Sequence, residues 1–265
     1  LPFERVAALK ATLPRLEIQG MDVDAQNAAI RDNTTSRARA PDPVEPATDL
    51  PDDALALLIF SSGSSGVMKG IMHTQASTWA FVENLATVLS AKPQMAYLVA
   101  QPMGHIGGIT TTLLTLSRQG TVILMRDFET EAYLSLLEKY QPTHINLHTP
   151  LFYDIVDSTN LATSGFARIQ CCFAAGDNLA HNLPERFTAR TGAPMRTGYG
   201  ATETGIVTLN LTPGAGQQAT VGPPLPGMGL EIRDRQGQRL APHQTGEIWV
   251  QSPAMFSGYW QMPEL

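Results

Sequence analysis

Between residues 54 and 199, short strand candidates alternate with longer stretches that suit helices, and no other feature narrows the possible folds so far. The strand candidates lie at 54–60, 95–100, 121–125, 143–147, 168–174 and 195–199, of which 54–60 and 95–100 are apolar throughout. The intervening stretches at 74–90, 106–118, 130–140, 150–157 and 179–191 suit helices. An uninterrupted apolar run fits a strand covered on both faces, as in a parallel sheet. Strands alternating with helices predict an α/β domain, a largely parallel sheet with flanking helices. The run at 54–60 is expected to be one of its buried strands. No internal repeat of fixed period is present.

The pattern changes near residue 211. Pro213, Gly214, Gly216, Gly222, Pro223, Pro224, Pro226 and Gly227 crowd together, and short strand candidates follow at 229–233 and 247–251. Asp234-Arg-Gln-Gly237 between them reads as a hairpin turn. The expected division is therefore 1–50, the end of a preceding subdomain and a connector; 51–210, an α/β nucleotide-binding subdomain; and 211–265, the start of a β-rich, barrel-like subdomain. Residues 1–21 are mixed or weakly helical, and Pro41, Pro43, Pro46 and Pro51 mark 34–53 as extended. The chain begins at Leu1 without an initiator Met and stops at Met262-Pro-Glu-Leu265, so a piece of a longer protein is expected, with the strand edge at 247–251 exposed.

Composition limits the function classes. With 265 residues, 43% hydrophobic and 16% charged, the chain can bury a sizeable core, and collagen-like, coiled-coil and disordered readings fail. No apolar run is long enough to span a bilayer. A net charge of −6 argues against a nucleic-acid partner, which needs a basic face. A small phosphate ligand needs only one local site. The two cysteines, Cys171 and Cys172, are adjacent. Neighbours in a strand point to opposite faces, so they suit neither a disulfide nor a metal site. Two buried thiols and a reducing, cytoplasmic compartment are the expectation.

The run at 54–60 ends on Ser61, Ser62, Gly63, Ser64, Ser65 and Gly66, then Val67, Met68, Lys69 and Gly70. Glycines let backbone N–H groups approach an anion closely, serines add hydroxyl donors, and Lys69 adds charge. The chain has only four lysines, so one placed here is not background. These are the ingredients of a polyphosphate-gripping loop. It is not a Walker A loop, because Met68 stands where the second Gly is required. It is not a nucleophile elbow around Ser65, because Val67 takes the final Gly position. A flexible linker has similar composition, but linkers seldom separate a buried strand from a helix, the position expected here.

The segment from Phe60 to Gly70 resembles the phosphate-binding signature of the adenylate-forming superfamily, which includes acyl-CoA synthetases, peptide-synthetase adenylation domains and beetle luciferases. Ser65 replaces the usual Thr and keeps the hydroxyl. Met68 replaces the usual Pro and removes a rigid φ before Lys69. Further segments follow in the family's order. Gln101-Pro-Met-Gly-His105-Ile-Gly-Gly108 resembles the Pro-x-x-His-x-x-Gly segment, whose aromatic or His position moves between states and lines the acyl site. Cys172-Phe-Ala-Ala175-Gly176-Asp177-Asn-Leu179 resembles the turn at the adenine, with Ala175 where Gly is common. Thr197-Gly198-Tyr199-Gly200-Ala-Thr202-Glu203-Thr-Gly205 is similar to the Tyr-Gly-x-Thr-Glu segment. The stretches 221–227 and 246–264 resemble the next two landmarks. Taken singly, these segments are a core histidine, a βα turn and glycine turns; their order gives them weight. The resemblance covers about 52–265, and the family's ribose-binding Asp, hinge and C-terminal domain with its catalytic Lys lie outside it.

The resemblance implies ATP-dependent activation of a carboxylic acid as an acyl-adenylate, then transfer to a thiol, commonly that of CoA. Glu203 would hold Mg²⁺, a cation that favours carboxylate and phosphate oxygens. Ser61, Ser62, Ser64, Ser65 and Lys69, with Gly63 and Gly66, would take the β- and γ-phosphates, and Thr202 the α-phosphate. Tyr199, flanked by Gly198 and Gly200, and the Ala175-Gly176-Asp177 turn would frame the adenine. Lys69, His105, Thr202 and Glu203 are the catalytic candidates. Peptide-synthetase domains usually place an Asp just after the His-type segment, and 106–116 has no acid. That favours an acyl or aryl acid, in a pocket lined by 107–111, His148 and 174–176. Two alternatives stay open: a module that loads a carrier protein, and a non-catalytic nucleotide-binding fragment.

Overall fold

The protein is described by a computed structural model that covers residues 50–61, 68–176, 182–211 and 220–264. Asp52–Leu265 forms a compact unit of its own. The expectations for 1–49 lie outside the described residues.

The centre is a five-stranded, wholly parallel sheet of β3 (Ala96–Val99), β4 (Thr121–Leu124), β5 (His144–His148), β6 (Cys171–Ala175) and β7 (Met195–Thr197), in the order β4-β3-β5-β6-β7. Its helices are α1 (Gln75–Leu89), α2 (Ile106–Ser117), α3 (Thr130–Tyr140), α4 (Thr149–Asp157) and α5 (Leu183–Thr191). The alternation expected from the sequence is thus present. Some ends shift: β6 starts at Cys171 because 163–166 coil into a 3-10 turn, and Ile169 N–H donates to the Phe166 carbonyl (3.0 Å).

Strand parity sorts the core into two layers. Leu98, Cys172 and Ala174 pack with Tyr133, Phe152 and Phe187 from α3, α4 and α5. Tyr97, Val99, Cys171 and Phe173 face the other way, onto Phe81, Leu85 and Leu114 from α1 and α2. Both cysteines are fully buried and free. Burying each large apolar side chain contributes about 1.5–3 kcal/mol, so these two layers supply most of the driving force.

The run at 54–60 does not join this sheet. It forms β1 (Leu55–Ser61), which pairs antiparallel with β2 (Lys69–Thr74), a strand absent from the sequence expectation. Leu57 and Ile59 pack into the layer around α1, whereas Phe60 is 56% exposed. A continuous apolar run fits such a ribbon as well as a buried parallel strand, because periodicity does not reveal the partner. The Ser/Gly loop therefore joins two strands, not a strand and a helix. Helix α1 begins after it with a capping box: Ser77 N–H donates to Thr74 Oγ1 (3.1 Å) and Thr74 N–H donates to Ser77 Oγ (3.0 Å).

After 211, β10 (Gly229–Arg233) and β11 (Glu247–Gln251) pair antiparallel. Asp234–Gly237 does form a turn, with Gly237 N–H donating to the Asp234 carbonyl (3.0 Å). It does not join β10 to β11, however. It folds the chain back on itself, bridging Arg233 to Arg239, and β11 starts only at Glu247. The β11 side chains Ile248 and Trp249 are exposed, and the strand's outer edge is unpaired among the described residues.

Candidate active site

In an open parallel sheet, ligands bind outside the carboxyl ends of the strands, where the strand order reverses. Here β3 has β4 on one side and β5 on the other. The sequence-predicted residues gather at that rim. His105 follows β3, His148 ends β5, Ala175 and Gly176 end β6, and Gly198 to Glu203 follow β7.

His105 is the N-cap of α2, and its Nδ1 accepts the Gly107 N–H at 3.1 Å, which leaves the ring proton on Nε2. Its ring meets that of His148 edge-on, with centroids 4.9 Å apart. Burial and the neighbouring imidazole lower the His105 pKa, so the ring is neutral near pH 7. Gly176 has φ +89°, and a Cβ there would lie 2.4 Å from His148 Nδ1, so only glycine fits. Asp177 lies outside the described residues.

Past β7 the chain makes a tight hairpin from β8 (Gly200–Ala201) to β9 (Gly205–Ile206), with Thr202 and Glu203 at its tip. A Cβ on Gly200 would sit 2.4 Å from the Gly205 carbonyl oxygen, which explains the glycine. Tyr199 N–H donates to Thr208 Oγ1 (3.1 Å), and Ile206 N–H donates to Asn84 Oδ1 (2.8 Å), fastening the hairpin to α1.

Ser61 and Lys69 are cross-strand partners at the open end of the β1–β2 ribbon. Ser62, Gly63, Ser64, Ser65 and Gly66 lie outside the described residues. Two residues not anticipated from the sequence connect Lys69 to the hairpin. His73 Nε2 donates to the Thr202 carbonyl (2.8 Å), and its Nδ1 shares a 3.1 Å hydrogen bond with Ser77 Oγ. Burial lowers its pKa more than the Thr202 carbonyl and Glu203 raise it. Tyr259 Oη donates to Glu203 Oε1 (3.0 Å), while Lys69 Nζ lies 4.9 Å from the Tyr259 ring centroid. The Tyr259 pKa is raised, by burial first and then by Glu203. His73 had a legible signal: once β2 is a strand, Lys69, Ile71 and His73 share one face. Tyr259 had none nearby, because it depends on a pairing far away in the chain.

Lys69 and Glu203 thus meet at Tyr259, His73 holds the Thr202 carbonyl further along β2, and His105, His148 and Gly176 lie at the strand ends. An ammonium, hydroxyls and a carboxylate together suit a phosphorylated ligand with a cation. Among the described residues no group of three or more His, Cys, Asp or Glu could hold a metal. An all-protein cage is not what Mg²⁺ requires, since it is commonly held by one or two carboxylates plus substrate phosphates. Glu203 fits that role.

The fold is an open α/β parallel sheet whose rim carries polar and charged side chains. A sequence model of AMP-binding enzymes matches residues 3–260, and the chain belongs to that family. It is 26% identical over 219 residues to the long-chain-fatty-acid–CoA ligase of Bacillus subtilis (strain 168), covering 81% of this chain and 39% of that protein. It is 30% identical to a feruloyl-CoA synthase of Amycolatopsis sp, covering 80% of this chain and 44% of that one. Among solved structures, apo MatB from Rhodopseudomonas palustris superposes with a TM-score of 0.73 at 27% identity, over 82% of this chain and 43% of that one. The chain therefore spans about two-fifths of the length of these relatives.

Proposed function

We propose that the chain carries the ATP-gripping part of an AMP-forming acid–thiol ligase, which activates a carboxylic acid as its adenylate and passes the acyl group to CoA. The observation that supports this best is that Lys69, where the Ser/Gly loop ends, and Glu203, on the β8–β9 hairpin, reach the same side chain, Tyr259. In this reading the loop and Lys69 bind the β- and γ-phosphates, and the Thr202 hydroxyl donates to the α-phosphate. Tyr199 and the 175–177 turn frame the adenine. Glu203 holds Mg²⁺, which, when bound, offsets charge building on the phosphates.

The acid lies against His105, His148 and 107–111. The His105 imidazole, its pKa lowered by burial, and the acid-free first turns of α2 suit an acyl or aryl group better than an amino acid's ammonium. The acids in these relatives' names, a long-chain fatty acid and ferulate, belong to the same class. Residues 51–210 are the nucleotide-binding subdomain and 211–265 the start of a β-rich one. Two buried free thiols suit a reducing cytoplasm. No helix among the described residues is long and apolar enough to cross a membrane.

The test is acid-dependent exchange of pyrophosphate into ATP, with fatty, aryl and amino acids compared. Exchange with a fatty or aryl acid is expected. Exchange with amino acids alone would overturn the substrate class.

A further inference from the structure

We propose that Tyr259 is a positioning residue of the nucleotide site. Its ring seats the Lys69 ammonium while its hydroxyl holds the Glu203 carboxylate, so the two opposite charges stand side by side without neutralising one another. This rests on the roles given above to Lys69 and Glu203.

The geometry starts with the backbone. Residues 257–260 run along the free edge of β2 without forming a regular strand: Ser257 N–H donates to the Met72 carbonyl (2.9 Å), Met72 N–H to the Gly258 carbonyl (3.1 Å), and Trp260 N–H to the Gly70 carbonyl (2.7 Å). Tyr259 bridges Ile71 in antiparallel fashion. The same segment grips the hairpin, since Phe256 N–H donates to the Glu203 carbonyl (2.8 Å). Phe256 also backs the Tyr259 ring, with centroids 4.9 Å apart. One short segment thereby fixes both elements that carry the charged groups, and Tyr259 stands between them.

The side chains use that placement. Lys69 and Glu203 reach the same tyrosine, yet among the described residues they form no ion pair with each other. A direct pair would occupy the groups needed for phosphate and cation. An aromatic face attracts an ammonium while leaving its full charge. A phenol hydroxyl occupies one lone pair of Oε1 and leaves Oε2 open. Both contacts hold the charged groups in place and leave them available to a ligand.

Calorimetric titration tests this without turnover. ATP binding is measured against Mg²⁺ concentration for the wild type, Tyr259→Phe, Tyr259→Leu, Glu203→Gln and the Tyr259→Phe/Glu203→Gln double variant, each with its melting temperature. Tyr259→Phe keeps the ring and is expected to melt like the wild type. Its half-saturating Mg²⁺ should rise about tenfold, the worth of a hydrogen bond to a charged group, with little change in ATP affinity at saturating Mg²⁺. Tyr259→Leu, which also removes the seat of Lys69, should weaken ATP binding about threefold even at saturating Mg²⁺. In the Glu203→Gln background, Tyr259→Phe should have no further effect. A Tyr259→Phe variant that titrates like a wild type that binds ATP overturns this proposal alone. So does a full additive penalty in the double variant. No Mg²⁺-dependent ATP binding by the wild type overturns the nucleotide reading, and this proposal with it.

Discussion

Lys69 begins β2 where the Ser/Gly loop ends, so its backbone is fixed by pairing with Ser61 while its ammonium reaches over Tyr259. In a phosphate complex that ammonium makes charge-assisted contacts. Lys69→Ala is expected to raise the ATP concentration at half-saturation by roughly ten- to a hundredfold in pyrophosphate exchange, the loss of about 1.5–3 kcal/mol. An unchanged value would remove Lys69 from the site. Lys69 stands out in the sequence because it closes a Ser/Gly run that follows an apolar one, and Thr202 and Glu203 because 197–205 resembles a family segment. His73 and Tyr259 were not. Their roles come from hydrogen bonds and a ring contact to residues more than fifty positions away.

Helix α1 shows how elements were read well and their joints less well. Its span followed from apolar spacing, and Thr74 marked its start. Its last turn contains no basic residue, and the sheet completes it. His144 on β5 hydrogen-bonds the Leu89 carbonyl through Nε2 (3.1 Å), and Arg196 on β7 donates to the Val88 carbonyl (2.6 Å). Burial lowers the His144 pKa from 6.5 to about 4, helped by Arg196 and Lys92. A depressed histidine pKa means the unfolded chain binds the extra proton between those values. Its contribution to stability is therefore complete above pH 6.5 and is lost as pH falls toward 4. The loss should reach about 3 kcal/mol across that window, and His73 and His105, also lowered, add in the same direction. Chemical denaturation at pH 7, 5.5 and 4.5 checks this, and His144→Gln should flatten the slope. A wild-type slope that persists in His144→Gln would assign the proton elsewhere. The β1–β2 ribbon was missed because an apolar run specifies burial, not partner. The parallel strands were legible because each lies between helices that cover it.

At the scale of the whole molecule, β6 divides the core into two layers, and the adjacent cysteines sample both. Cys171 packs with α1 and α2, and Cys172 with the layer of α3, α4 and α5. Burial pushes the Cys171 thiol up to about 11 and the Cys172 thiol well above its ordinary value. Neither forms reactive thiolate at neutral pH while the fold is intact. Their reaction with a disulfide reagent therefore reports opening of the layers. Because β6 is an interior strand flanked by β5 and β7, exposing either face should strip cover from the strands that support the other. Both thiols are expected to be silent in native buffer and to react together at the denaturant concentration where the helical signal is lost. The Cys171→Ala and Cys172→Ala variants, each with one thiol remaining, separate the layers. If one thiol reacts at distinctly lower denaturant than the other, the layers open independently, and the rim that carries His105, Gly176 and Glu203 rests on two cooperative units instead of one.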